Sequence, residues 1–416
     1  MTKLLNNYKG LPKEMYIICF AKIINRLGDF VVPFLALYLT QKLGMSAASS
    51  GVIVTLASVI GMPAAIIGGK ISDKCGRKKI YVYAQSLSAL FLIPCAFTKN
   101  IFITISCLLI STFFSNFIRP AFTSMVTDIL PTEKRQAGFA LQYLSINIGV
   151  SIGPIIAGLL FNNLLPLFFI GDAFTSLMAA FLINKNIEET YNTETTVKVE
   201  STLEKEEKGN FLEMILKRPQ LYMFFILNTV YGFVYTQHKF SLPLSLNSIF
   251  SNNGAKYFGY LMSINAVTVL VLTVFITALT KKNHQLTNMF IAGIMYAIGF
   301  GMIGFIHSLP LFILSTVVWT CGEILCSISS GVYVADNSPV NYRARINSLS
   351  SIVKLLGSSS STFLSGLYIN ALGLNSIWKL VFFIAIIASF LMYVLKNKYV
   401  CKKYSKTNYE ADREEA

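Results

Sequence analysis

Long apolar runs separated by short polar clusters occupy most of this chain, and the length of the runs decides what they are. Residues 15–39, 51–67, 101–117 and 377–395 are each long enough, at about 1.5 Å per helical residue, to cross a hydrocarbon layer of ~30 Å. Gly, Pro and Asn mark the joints, as in Lys99-Asn100, Asn162-Asn163 and Ser308-Leu309-Pro310. One long polar stretch, Asn184 to Gln220, lies near the middle. Its run from Glu188 to Lys208 lacks apolar periodicity and reads as a flexible linker. About six apolar segments precede it and about six follow. The expected organisation is a first half at 1–184, a cytoplasmic linker at 185–219, a second half at 220–398 and a cytoplasmic tail at 399–416. The first apolar run is too long for a signal peptide and no small-residue cleavage site follows it, so it reads as a retained first helix.

The halves repeat. Asp128-x-x-Pro131-x-x-x-Arg135 recurs as Asp336-x-x-Pro339-x-x-x-Arg343, an offset of 336 − 128 = 208, and the same offset carries Gly158 to Gly366. Pro33 and Pro243 correspond approximately. Repeated halves joined by a central loop point to parallel repeats about an axis along the membrane normal.

Composition agrees. Of 416 residues 54% are hydrophobic and 13% charged, with a mean hydropathy of +0.59; a water-soluble domain carries about 25% charged residues. The net charge of +15 suggests a nucleic-acid partner until its distribution is read. Lys and Arg cluster in alternate connections, at 70–79, 134–135, 185–218, 281–282, 343–345 and after Lys396. Roughly 26 basic residues fall on one side and about 4 on the other, which is the positive-inside bias and places both termini in the cytoplasm of a multi-pass cell-membrane protein. The charge reports topology, and no nucleic-acid partner is expected. The seven cysteines show no paired spacing, and His238, His284 and His307 are scattered, so no disulfide framework or metal site is expected.

Between the second and third apolar runs lies Gly69-x-x-x-Asp73-x-x-Gly76-Arg77-Lys78, a tight turn held at the cytoplasmic face by its cations. Asp73 can cap a neighbouring helix, and Arg77 can reach a carboxylate at the base of another, with Asp128 the natural candidate. Such contacts form in one conformation and break in another, a latch; the plainer reading is a solvated topological loop. This segment resembles the loop signature of the major facilitator superfamily. The resemblance covers the chain apart from its termini and linker. It implies an all-α membrane protein of about twelve transmembrane helices in two six-helix bundles, working by alternating access as a monomer. The equivalent loop of the second half is reduced to Lys281-Lys282-Asn283.

The fifth segment carries Asn147-x-Gly149-x-x-x-Gly153-Pro154-x-x-Ala157-Gly158. Small residues at this spacing allow close helix packing, and Pro154 bends the segment. The run is similar to the antiporter motif of the drug:proton antiporter branch, which favours efflux; ordinary tight packing is the alternative. Arg119 resembles the intramembrane arginine of that branch, although Pro120 follows it where the branch carries Gln-Gly.

Charges within membrane helices cost at least ~2.5 kcal/mol each, so each needs a reason. The first segment holds Lys22, Arg26 and Asp29, with Arg26 and Asp29 three apart on one face. A carboxyl that burial pushes toward neutrality and a cation pushes toward charge can exchange a proton as its access changes. Asp29 is the expected proton carrier, with Arg26 or Arg119 governing it; a purely structural Arg26–Asp29 pair is the alternative. Glu323 and Lys354 form a second candidate pair, either member of which is a candidate substrate contact; a buried salt bridge that fixes packing is the alternative. Tyr231, Tyr235 and Gln237 are candidate walls of a substrate site, or anchors at the membrane interface. Asp172 lies near a helix end and is given no role.

The expected function is proton-coupled efflux of small hydrophobic or amphipathic compounds, with protons and membrane lipid as partners and no cofactor. Influx of one proton down 100 mV supplies ~2.3 kcal/mol. A phosphate-binding Gly-rich loop is missing, and no catalytic constellation is visible, so the chain is not expected to be an enzyme. Lipid or glycolipid translocation, and proton symport of a nutrient, are the alternatives.

Overall fold

The computed structural model describes residues 10–131, 134–190, 218–280, 282–337 and 343–414. Within them the chain forms α1 (Lys13–Leu27), α2 (Val31–Leu37), α3 (Ala47–Cys75), α4 (Arg77–Leu92), α5 (Ile101–Ile129), α6 (Arg135–Asn163) and α7 (Leu165–Asn186). After the linker come α8 (Pro219–Thr236), α9 (Ser241–Phe250), α10 (Gly254–Thr280), α11 (Gln285–Met302), α12 (Leu309–Asp336), α13 (Arg343–Leu372) and α14 (Ser376–Glu414). Helix starts carry the caps that free backbone N–H groups require: Asn100 accepts from Phe102 and Ile103, Ser46 from Ser49, and the His284 ring from Leu286. Among the described residues nine helical stretches are long and apolar enough to cross a membrane, and one of them, 219–280, has length for two crossings. With α1–α2 and α13 these make the twelve spans. Most of the linker at 191–217, Lys281 and Pro339 lie outside the described residues, as do the side chains of Asp73, Asp336, Arg343 and the tail from 399 onward.

Packing shows the repeat more fully than the sequence does. In the first half α1 packs on α6 and α7, and α4 on α5 and α7; in the second, α8 packs on α13 and α14, and α11 on α12 and α14. The two sets are the same contacts one half apart. Gly149 of α6 fits against the backbone of α1, where an added Cβ would come within 2.9 Å of the Ile23 carbonyl. Gly357 of α13 lies 357 − 149 = 208 residues later, the offset read from the sequence, and a Cβ there would overlap the Thr229 carbonyl of α8. One glycine per half keeps the equivalent helix pair close.

The first span is not the single helix that its apolar run suggests. It stops at Leu27 and resumes at Val31, with Phe30 N bonded to Gly28 O at 2.7 Å in the break, then widens into a π turn at Tyr38–Lys42. Gly28 and Asp29 are both weak helix formers, and together they release the chain. The seventh span breaks likewise, between α8 and α9 at residues 237–240. Gln237 there stands 237 − 29 = 208 residues after Asp29, so the two discontinuities occupy corresponding positions.

Two compact units divide the described chain. One holds the first six spans with Leu242–Leu270; the other holds α8 and the chain from Val271 onward. The segment Leu242–Leu270 thus lies with the first unit. The physical reason is a close crossing inside the first unit. Cβ atoms added at Gly158 would lie 2.7 Å from the Ala255 carbonyl, and at Gly259 would overlap the Pro154 carbonyl. Pro154-x-x-x-Gly158 thus interlocks with Ala255-x-x-x-Gly259. Phe34 adds edge contacts to Phe258 at 5.0 Å and Phe168 at 5.9 Å.

Candidate functional site

The break in the first span is built by three helices of its own unit. Arg26, on the last turn of α1, pairs with Asp29 in the break. One oxygen of Asp172, buried in α7, accepts hydrogen bonds from Phe30 N and Val31 N, both at 3.1 Å. Those two N–H groups open α2 without the carbonyl partner of a continuous helix, so the carboxylate supplies the acceptor of Val31 N and a second one, beside Gly28 O, for Phe30 N. Asn25 donates to Ser176 at 3.1 Å, tying α1 to α7 one turn from the break. From the other side, α6 presents Gly149 and Gly153. A Cβ at Gly153 would stand 2.7 Å from the Arg26 carbonyl and 2.9 Å from that of Leu27. The glycines of the fifth-span motif therefore press on the backbone that carries Arg26 and Asp29. Asn147 of the same motif bonds only its own helix, donating to Tyr143 O at 2.8 Å.

Arg119 stands on α5 in a stripe with Ser115, Thr123 and Thr127, four residues apart in succession, turned away from the unit's apolar core. The opposite face of α5 carries buried Phe117, Ala121 and Met125, while buried Phe122, three residues from Arg119, borders the stripe. Lys22 lies with its ammonium 4.7 Å from the centre of the Phe122 ring.

At one end of the unit Arg77, the first residue of α4, pairs with Asp128 at the end of α5. Gly76 joins α3 to α4 at φ +101°, ψ 143°, a backbone conformation that side chains resist. The Glu189 carboxylate accepts from Lys78 N at 3.0 Å and Lys79 N at 3.1 Å, capping α4, and an added Cβ at Gly76 would strike it. Gly69 is less demanding, since a Cβ there would meet Pro120 at an ordinary 3.6 Å. Gly76→Ala should cost about 1–3 kcal/mol through its backbone alone and displace Glu189 as well. A clear fall in the thermal-unfolding midpoint in detergent is the expected result, with Glu189→Gln milder; an unchanged midpoint for Gly76→Ala would remove this account of the turn.

In the second unit Gln237 donates from its amide to Ser361 at 2.9 Å and Ser365 at 2.8 Å, fixing the break of the seventh span to α13. Tyr231 is buried, and its hydroxyl donates to Met289 O at 2.8 Å. Tyr235 lies among rings, 4.3 Å from His238 and 6.0 Å from Tyr296. Glu323 on α12 and Lys354 on α13 both lie in electrostatic range of Cys326.

Corresponding breaks in two repeated halves, one holding a carboxylate, are the arrangement in which secondary transporters build their sites. The sequence profile of the Major Facilitator Superfamily matches residues 18–362. The chain belongs to this superfamily. An uncharacterised major facilitator transporter of Bacillus subtilis, YqjV, is 24% identical over 341 residues, which cover 79% of this chain and 80% of that protein. A Na(+), Li(+), K(+)/H(+) antiporter of Planococcus maritimus is 22% identical over 351 residues, covering 79% and 82%. The PmrA multi-drug resistance efflux pump homolog of Lactococcus lactis is 31% identical over 193 residues, covering 44% and 46%. Among solved major facilitator structures, the nucleoside transporter NupG matches with a TM-score of 0.77 at 14% identity, covering 92% of this chain and 99% of that one. The chain is thus an integral membrane transporter of the major facilitator fold.

Two parts of the site escape sequence reading. Asp172 contributes from 142 residues beyond Phe30, and Glu189 sits at the start of a stretch whose composition says only linker. The weak local signal was the carboxyl of Asp172 itself, since a buried charge needs donors.

Proposed function

We propose that this transporter is a proton-coupled exporter of small hydrophobic or amphipathic compounds, working by alternating access. The observation that carries the reading is the Arg26–Asp29 pair, set in a helix break that the Gly149 and Gly153 surface of the fifth span presses upon. A carboxyl held at a discontinuity beside a cation has a partner to exchange for a proton, and any shift of α6 against α1 alters that partnership. The likeness to an efflux pump homolog and to a cation/proton antiporter supports export driven by protons. The Arg77–Asp128 pair serves as the cytoplasmic latch, and the basic bias of alternate connections puts both termini in the cytoplasm.

The test is fluorescent-substrate flux in proteoliposomes under an imposed pH gradient. Asp29→Asn should abolish gradient-driven flux while leaving expression and substrate binding intact. Full gradient-driven flux in that variant would remove Asp29 from the mechanism. A second reading, exchange of monovalent cations for protons, draws on the antiporter relative. Collapse of an imposed pH gradient on adding NaCl or KCl to the same vesicles, without any organic substrate, would favour it.

A further inference from the structure

Five ionisable side chains of the first unit gather near the break, three cations (Lys22, Arg26 and Arg119) against two carboxyls (Asp29 and Asp172). Their charges do not balance. Asp29 is committed to Arg26, and Asp172 to the backbone of Phe30 and Val31. Lys22 has no ion pair among the described residues, only the Phe122 ring. Arg119 has none either, although it shares a face with the hydroxyls of Ser115 and Thr123. The Nε of Arg26 is buried without a hydrogen-bond acceptor. A cation inside a membrane protein without a counter-charge is unfavourable, and the ring under Lys22 offsets only part of that.

We propose that Lys22, Arg119 and the free edge of Arg26 form a binding site for the acid group of an amphipathic anion, a carboxylate or sulfonate carried on an apolar body. The inference rests on the exporter reading and narrows it. Lipophilic cations meet a repulsive surface here, whereas an organic acid supplies the missing counter-charge and the acceptor that Arg26 lacks. Thr123 and Thr127 spend their hydroxyl protons on Arg119 O and Thr123 O, which leaves Ser115 as the hydroxyl of the stripe able to add a donor.

Two probes that differ in charge alone decide it: 1-pyrenebutyrate and a pyrenylbutyl-trimethylammonium. Equilibrium dialysis against the full chain in neutral detergent should show tighter binding of the carboxylate. Lys22→Gln and Arg119→Gln should each weaken it at least about tenfold, with Lys22→Arg restoring most of the affinity and serving as the folding control. Equal binding of the two probes, or no effect of Lys22→Gln, overturns the site. Displacement of pyrenebutyrate by short-chain phosphatidylglycerol but not by octanoate also overturns it, assigning the cations to a lipid headgroup. Transport separates this inference from the reading beneath it. Gradient-driven flux of the ammonium probe with no preference in binding leaves the exporter standing and removes the anion site. Preferential carboxylate binding with no gradient-driven flux of either probe leaves the site standing and removes the proton-driven exporter.

Discussion

Asp172→Leu lowers the thermal-unfolding midpoint of the detergent-solubilised protein by several degrees and reduces transport to near background. The substitution leaves Val31 N buried without an acceptor, at a cost of about 1–3 kcal/mol, and takes from Phe30 N one of its two acceptors, leaving it Gly28 O. Leucine also brings an apolar branch toward the backbone of the residue that follows Asp29, so the Arg26–Asp29 pair loses its fixed seat. Asp172→Asn is the informative companion, because an amide oxygen accepts the same two bonds while the charge is gone. It should retain most of the stability of the intact protein. If the asparagine and leucine variants unfold together, the charge rather than the hydrogen bonding of Asp172 holds the break. If neither changes the midpoint, the two bonds contribute little.

The second large effect is expected at Gly259. A valine there drives a branched side chain into the Pro154 carbonyl, which is backbone and cannot rotate away as a side chain would. Separating the two helices to make room costs about 1–3 kcal/mol, which corresponds to a loss of at least about fivefold in any state that uses the crossing. Transport should fall by at least that factor with expression preserved. Gly331→Ala is the control, because its added Cβ meets nothing within 4 Å. Equal activity in the Gly259→Val and control variants would show that the crossing between Pro154-x-x-x-Gly158 and Ala255-x-x-x-Gly259 plays no part in the cycle.

Much of this architecture is legible in the residues themselves. Twelve spans follow from run length, and the three-residue spacing of Arg26 and Asp29 is enough to predict their pairing. Arg77 and Asp128 are readable because a cation in a short loop must find a carboxylate at the same membrane face. The 208-residue offset found in loop motifs extends to the paired glycines Gly149 and Gly357, and also to Asp29 and Gln237, where the residue types differ and only geometry shows the kinship. The break in the first span was hidden because Leu27-Gly28-Asp29-Phe30 interrupts an apolar run without shortening it. Hydropathy registers length, and it cannot register a helix whose second half is capped by a residue from the sixth span. Nor does periodicity separate the hydroxyl stripe of α5 from its lipid-facing neighbours. That distinction needed the burial of Phe117, Ala121 and Met125 on the other side.

The discontinuity at residues 28–30 also makes the first span a lever. Its inner arm, α1, is embedded through Met15, Ile18 and Cys19 in the buried core of its unit, while the outer arm runs from Val31 through Lys42 and carries Phe34 and Tyr38 at its far reaches. Those twelve residues span about 18 Å, so a swing of about 20° around the break moves the outer tip by roughly 6 Å. Asp29, at the fulcrum, hardly moves. A proton gained or lost there would act where displacement is smallest and be read out where it is largest. Paired spin labels at Gln41 and Leu164 should then report a distance change between acidic and alkaline pH several times that of a pair at Ile17 and Leu182, and equal changes at both pairs would show a span that moves as one rod.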